Sequence, residues 1–339
     1  MKFIKNNIKY LILIALMIIL PQGVLLFAPN KSGYILQLLV MLLLYMYWTS
    51  SWNIISGYVG WMSLGHATYI GLGAYTSTIC FMYLDISPWI GMFIGGLIAG
   101  IVSCLVGYPT FKLRGSYYTL STVALVNTMR IIFLSEDKIF GFETFAAMGM
   151  KLPWLGGHFI DMQSLDRSFF YYIVLALLVI ILLISNAISK SKTGYYFAAI
   201  KTNQNAAATL GVNVENYKLR AQFISAFFTA VGGAVYAQLL QYIDPSSFFS
   251  SDLSVQIALM AIIGGRGSLW GPVIGALLLY PVSEYLRSTI GSSLPGSSLA
   301  IYGLILMLVI YFMPQGIFSY LEKLASFVKS KFKKTAGEV

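Results

Sequence analysis

Apolar runs of about 20 residues recur along the chain with short polar breaks between them, the pattern of helices that cross a bilayer. The runs fall at 10–28, 34–55, 63–84, 88–108, 117–134, 169–189, 219–242, 253–264, 271–290 and 298–313. The expected fold is all-α: a polytopic membrane bundle of about ten helices forming a single transmembrane domain over 1–339. The eighth and tenth runs are short for roughly 30 Å of hydrocarbon, so one of them is expected to be a half-helix or the visible part of a longer tilted span. Lys2, Lys5 and Lys9 precede the first run, and Pro29 directly after Ala28 spoils a small-residue cleavage site, so an uncleaved spanning helix is expected there.

Composition strengthens this picture. Hydrophobic residues make up 58% and charged residues 10% of the chain, far from the roughly one quarter charged of soluble domains. No stretch remains to build a sizeable soluble domain, which excludes a soluble enzyme and an ectodomain receptor. Prolines and glycines are spread through the apolar runs, as bundled helices allow, without the alternating pattern of an outer-membrane barrel. Cys80 and Cys104 both lie in apolar runs and form no disulfide framework.

The net charge of +10 lies mostly in the gaps between runs, where basic residues orient helices and meet anionic lipid, so it speaks for membrane topology and not for nucleic acid. With the N-terminus inside, the predicted inner loops carry Lys112 and Arg114, then Lys190, Lys192, Lys201, Lys218 and Arg220, then Arg266. The predicted outer loops carry Asp85, an acid-rich stretch from Glu136 to Asp166, then Asp244 and Asp252; Lys31 is the exception. Both termini are therefore expected in the cytoplasm, with an extracytoplasmic loop at 135–168, a cytoplasmic loop at 190–218 and a basic cytoplasmic tail at 319–339. The outer loop reads either as a docking surface for an outer partner or as a solvated cap over the bundle.

Two segments hold the candidate chemistry. From Gly57 to Tyr75 the sequence GYVGWMSLGHATYIGLGAY breaks the helix pattern with glycines and brings Ser63, His66, Thr68 and Tyr69 to membrane depth. Irregular backbone at that depth is buried in protein or lines a wet cavity, so the segment reads either as a pathway lining or as glycines permitting close packing. The segment from Lys190 to Arg220 contains a helix signal: Thr202 or Asn203 as N-cap, the run Asn205 to Leu210, and Gly211 as the stop. A helix this short is marginal alone, so it is either held by a partner or lies as a connector on the headgroups. The spacings Gly91-xxx-Gly95, Gly96-xxx-Gly100 and Gly271-xxx-Gly275 predict close helix packing. GGRGSLWGPVIG from Gly264 lacks the GKS or GKT ending of a phosphate loop and reads as a tight turn whose Arg266 meets lipid phosphate or carbonyls. The chain has no Walker A sequence, no GxSxG nucleophile and no metal-spaced His/Cys cluster. Ionisable groups are scarce at mid-helix, which argues against a proton-coupled secondary transporter and leaves sodium coupling through carbonyls and hydroxyls open.

At these residues the chain resembles the permease subunits of branched-chain amino acid ABC importers, in their LivM-like branch. The resemblance rests on SLGHATYIGLGAY at 63–75, RGSYYTLSTVAL at 114–125, AAIKTNQNAAATLGVNVENYKLRAQFISA at 198–226 and GGRGSLWGPVIGA at 264–276, four blocks in the family's order. It implies a non-enzymatic channel subunit in the inner (cytoplasmic) membrane, paired with a second, paralogous permease subunit. Cytoplasmic ATP-binding subunits, which hold ATP and Mg, would drive it, and an extracytoplasmic binding protein would deliver substrate; no cofactor or metal is expected in this chain. The implied substrate is a branched-chain amino acid; related permeases carry urea, nucleosides or simple sugars, and a stand-alone ion-coupled secondary transporter is the reading from a different class. The resemblance identifies Asn203, Asn205, Ala207, Leu210 and Gly211 as the ATPase-coupling segment. The chain departs from the family where acidic residues commonly flank the alanine run and it has Asn203, Gln204 and Asn205. Ser63, His66, Tyr69, Tyr118, Ser121 and Asn127 are the candidate substrate pathway, being polar groups on glycine-broken or family-matching helices.

The charge pattern yields a direct test. Single cysteines placed in 136–166 should react with an impermeant thiol reagent added outside intact cells, and those in 192–218 should not; the reverse labelling inverts the topology.

Overall fold

The computed structural model describes residues 17, 19–25, 31–111, 116–139, 141–289, 297–313, 316–320 and 322. Most of the expected first span, the loop residues Lys112 and Arg114, and nearly all of the basic tail lie outside them.

Helix α1 (Ser32–Asn53) continues as a π-helix over Ile54–Val59 and forms the centre of the bundle. Its second half is buried on every side, with Tyr47, Trp48 and Trp52 fully enclosed. Helices α2 (His66–Leu84), α3 (Pro88–Thr110) and α4 (Tyr117–Ser135) follow, then α5 (Arg167–Lys190). Two short helices come next, α6 (Lys192–Thr202) and α7 (Gln204–Thr209), before the long α8 (Val214–Leu240). A single turn α9 (Pro245–Phe248), α10 (Ser251–Gly265), α11 (Gly271–Thr289) and α12 (Ser297–Phe312) follow. Among the described residues six helical segments are long and apolar enough to cross a membrane: α1 with its π-helical end, α3, α4, α5, α8 and the pair α9–α10. Helices α2 and α11, 19 residues each, are less apolar, and α12 has 16 residues.

Helix ends lie close to the breaks expected from the apolar pattern, with informative differences. Helix α1 runs past 55 because the π-helix carries it to Val59, and α2 begins at His66, not at 63. The intervening loop would strand backbone polar groups at membrane depth, and neighbouring elements satisfy them. Trp52 Nε1 donates to the Ser63 carbonyl at 2.7 Å, and Ser56 Oγ accepts from Ser63 N at 3.1 Å. From α4, Thr122 Oγ1 accepts from Leu64 N at 3.0 Å and Thr119 Oγ1 donates to the Met62 carbonyl at 2.8 Å. Ser254 of α10 accepts from Ala67 N at 2.8 Å, in the first turn of α2. Helix α6 was not expected. Its start is capped by Ser191 Oγ, which accepts from Gly194 N, and Phe197 and Ile200, three residues apart, bury one side of it.

Helices α2, α3 and α8 form the closest-packed group, and α1 packs against α8, α5 and the α10–α11 hairpin. The approach of α2 to α8 is reciprocal: a Cβ on Gly73 would overlap the Ala230 carbonyl, and one on Gly233 would overlap the Ile70 carbonyl. Gly95 of α3 meets the backbone of Gly73, and Gly275 of α11 meets the Met260 carbonyl of α10, so two of the small-xxx-small spacings bring backbones together, whereas Gly96 and Gly100 make room for the Phe227 and Phe223 rings of α8. The α10–α11 turn is held by Asn53 at the end of α1, whose Oδ1 accepts from Gly267 N at 2.7 Å and whose Nδ2 donates to the Ser268 carbonyl at 2.9 Å.

The bundle's two ends differ in make-up. Gly57, Trp61, Lys201, Gln204, Lys218 and Gly267 gather at one end. At the other, residues 136–166 fold over the helix ends. Strands β1 (Lys138–Ile139) and β2 (Phe142–Glu143) pair antiparallel, and β3 (Met150–Lys151) pairs with β4 (Tyr242–Ile243), beyond α8. These two-residue pairings leave no periodicity in the sequence, and the all-α expectation omitted them. Tyr83 OH donates to the Glu143 carbonyl at 3.1 Å, Trp89 Nε1 to the Phe159 carbonyl at 2.8 Å and Ser87 Oγ to the Ile160 carbonyl, so this segment is tied to the bundle.

Gly73→Ala should therefore lower stability by about 1–3 kcal/mol through overpacking. Gly303→Ala, with nothing within 4 Å of the added carbon, should leave it unchanged. Thermal unfolding midpoints of the purified variants in one detergent compare the two.

Candidate functional site

Lys218, Gln222, Ser225 and Thr229 recur along α8 at steps of four, three and four residues, which puts them on one helix face. All four are buried. The stripe faces α2 and α4 and organises most of the expected pathway residues. Gln222 Nε2 donates to Tyr69 OH at 2.5 Å, and Tyr118 OH donates to Gln222 Oε1 at 2.8 Å, so one side-chain amide joins α2, α4 and α8. Ser225 Oγ donates to the Ser51 carbonyl at 2.7 Å and lies 2.9 Å from His66 Nε2. With its hydroxyl proton committed to Ser51, Ser225 accepts from His66, which assigns the proton to Nε2 and leaves Nδ1 to accept from Ser63 Oγ at 3.4 Å.

Ser63, His66, Tyr69 and Tyr118 are thus brought together, each buried and each bonded within the group. Ser121 is half-buried and donates back to the Tyr118 carbonyl at 2.7 Å. Asn127 is exposed, away from the group, and accepts from Ser251 Oγ at 3.3 Å. Among the described residues no carboxylate enters the network. What it does physically is fix the relative register of α1, α2, α4 and α8 through directional bonds in an apolar surrounding.

Towards the other end of the stripe, the Lys218 ammonium lies 3.6 Å from the centre of the Trp61 ring and donates to Gln204 Oε1 at 2.8 Å. Trp61 stands edge-on to Tyr118, with ring centres 5.1 Å apart. Gln204 is the first residue of α7, so a continuous set of contacts runs from α7 through Lys218, Trp61 and Tyr118 to Gln222 and His66. A second tie starts from α6, where Lys201 Nζ donates to the Gly57 carbonyl at 2.7 Å. Partial burial, and secondarily the Arg266 guanidinium, lower the pKa of that ammonium.

Helix α7 is closed at both ends. Asn203 Oδ1 accepts from Asn205 N at 3.0 Å and from Ala206 N at 3.2 Å, which settles the N-cap in its favour over Thr202. Gly211, at φ 86°, turns the chain, and Val212 N donates to the Ala207 carbonyl at 3.1 Å while Gly211 N donates to the Ala208 carbonyl at 3.0 Å. That pair of bonds is the Schellman stop, which favours glycine at the left-handed position. Ala207 faces the chain's own interior, whereas Asn205 and Leu210 face outward, Leu210 with 85% of its surface exposed.

Comparison with known proteins places the chain in a family. The family model described as branched-chain amino acid transport system / permease component matches residues 34–313. The chain belongs to that family. The match covers both the α8 stripe and the α7 segment of this permease. The chain is 24% identical over 283 residues to the high-affinity branched-chain amino acid transport system permease protein LivM of Escherichia coli, covering 78% of this chain and 65% of LivM. It is 27% identical over 267 residues to the nucleoside ABC transporter permease protein NupC of Lactococcus lactis, covering 73% and 80%. Against the Escherichia coli permease LivH it is 25% identical over 281 residues, covering 78% and 88%. The chain therefore spans about two thirds of the LivM length. No solved structure matches it.

Sequence reasoning missed Gln222, Ser225 and Lys218, although the four-three-four spacing of polar residues within an apolar run was a usable signal. Gln222→Leu removes the partner of two buried tyrosine hydroxyls and should cost about 1–3 kcal/mol. Tyr118→Phe removes one bond but leaves Gln222 its contact to Tyr69, and should cost less; thermal unfolding of the two purified variants orders them.

Proposed function

We propose that the chain is the channel-forming permease subunit of an ATP-driven importer of the cytoplasmic membrane, passing branched-chain amino acids inward. It would work with a second, paralogous permease subunit, cytoplasmic ATP-binding subunits and an extracytoplasmic binding protein, with ATP and Mg held by the ATP-binding subunits. The observation that carries this reading is Leu210: a large apolar side chain, 85% exposed, at the tip of a short helix closed at both ends. Such a residue is suited to a partner's groove, and the LivM relative supports the substrate class.

In this reading, closure of the ATP-binding subunits pushes α7, and the push reaches the bundle through Gln204, Lys218 and Trp61. The hydrogen bonds joining Gln222 to Tyr69 and Tyr118, and Ser225 to His66, make α2, α4 and α8 respond as a unit, shifting the balance between outward-open and inward-open states. The pathway opened in this way would run beside Ser63, His66, Tyr69, Tyr118, Ser121 and Asn127. Nucleosides are the second reading, favoured by the match to NupC at similar identity over 80% of that protein.

Leu210→Asp should abolish co-purification of the ATP-binding subunits and substrate uptake while leaving detergent stability unchanged, since a charge stranded at an interface costs about 2–5 kcal/mol. Gly211→Val should have the same effect by straining the left-handed turn. Ala207→Glu should instead lower the chain's own stability, because that side chain is buried. Normal uptake and normal subunit binding in both Leu210→Asp and Gly211→Val refute the coupling role.

A further inference from the structure

The end of the bundle opposite α7 holds a cavity of about 430 Å³ between α1, α8, α10, α11 and α12, within the range of small-molecule sites. Three features of its lining are unusual for a purely structural gap. First, Glu284 and Arg287 stand one turn apart on α11 with their charges 2.9 Å from each other; the glutamate side chain is mostly enclosed and the arginine side chain is 75% exposed. Second, polar groups are left uncommitted. The Tyr302 hydroxyl, on a residue only 6% exposed, has no hydrogen-bond partner among the described residues, and neither has Gln37 Oε1. Third, the rest of the wall is aromatic and aliphatic, with Tyr45 and Tyr280 at a ring separation of 4.8 Å. Tyr45 OH donates to Gln256 Oε1 at 3.0 Å, which holds that wall in place.

We propose that this cavity is a binding site for a zwitterionic α-amino acid with an apolar side chain, a subsite within the chain that rests on the transport reading above. An α-amino acid carries an ammonium and a carboxylate on one carbon. Set against Glu284 and Arg287, the ammonium meets the glutamate and the carboxylate meets the arginine, so both protein charges are satisfied at once. A lone cation or a lone anion would satisfy one of them and be repelled by the other. The Tyr302 hydroxyl has a proton to donate to the carboxylate, and the aliphatic side chain lies against the apolar wall. A nucleoside, uncharged, would leave the ion pair unused.

The test is direct binding of radiolabelled L-leucine to the full-length chain in nanodiscs, with leucinol, 4-methylpentanoate and guanosine as competitors. L-leucine should bind, and leucinol, which lacks the carboxylate, and 4-methylpentanoate, which lacks the ammonium, should each compete at least tenfold more weakly. Arg287→Gln should weaken L-leucine at least tenfold and narrow its advantage over leucinol, whereas Glu284→Gln should narrow its advantage over 4-methylpentanoate. A misfolded variant would lose every ligand together and would not change these ratios selectively. The site is refuted if L-leucine does not bind the chain, or binds with affinity and ratios untouched by both variants, while the assembled importer still accumulates leucine. If the assembled importer accumulates guanosine and not leucine, the transport reading itself fails, and the site falls with it.

Discussion

Backbone polar groups have no water to bond at membrane depth, and the break between α1 and α2 exposes several of them at one place. Everything nearby is arranged around closing that break. Trp52 and Ser56 supply bonds from α1 and its π-helical end, Thr119 and Thr122 from α4, and Ser254 from α10. Lys201 from α6 adds its bond to the Gly57 carbonyl. A break satisfied by that many separate helices cannot move without moving them. It is therefore a gap in the backbone ladder that ties α1, α4, α6 and α10 to one another.

The buried stripe on α8 extends this coupling along the bundle. Its contact with α2 requires two backbones to approach more closely than any side chain allows, which Gly73 and Gly233 permit. Once that contact is made, Gln222 and Ser225 reach across it to Tyr69, Tyr118 and His66, and the polar groups satisfy one another. Lys218 ends the stripe beneath Trp61 and connects it to the first residue of α7. The glycines and the polar side chains are thus one device: without the close approach, the hydroxyls and amides would lie buried and unpaired.

The two regions proposed to be functional sit at opposite ends of the bundle and are built differently. At the α7 end an apolar side chain stands on a capped helix, a form suited to a protein partner. At the other end charged and uncommitted polar groups line a partly open cavity, a form suited to a small ligand.

Much of this was readable from the chain, because long apolar runs act locally. Helix positions among the described residues, the α7 caps at Asn203 and Gly211, and the break in the helix pattern ahead of His66 all follow from spacing within one segment. Helix α6, the β3–β4 pairing and the α8 stripe's partners do not, since each is decided by residues distant in sequence: Ile243 beside Met150, Gln222 beside Tyr69, Ser225 beside His66. Ala207 shows the limit most sharply. Its place on a small apolar helix was evident from the sequence, but whether that face turned to a partner or to the chain itself depended on how α6 and α8 fold around it. An apolar run determines that a segment leaves water; which neighbour it then meets is decided by packing, and only the tertiary structure contains it.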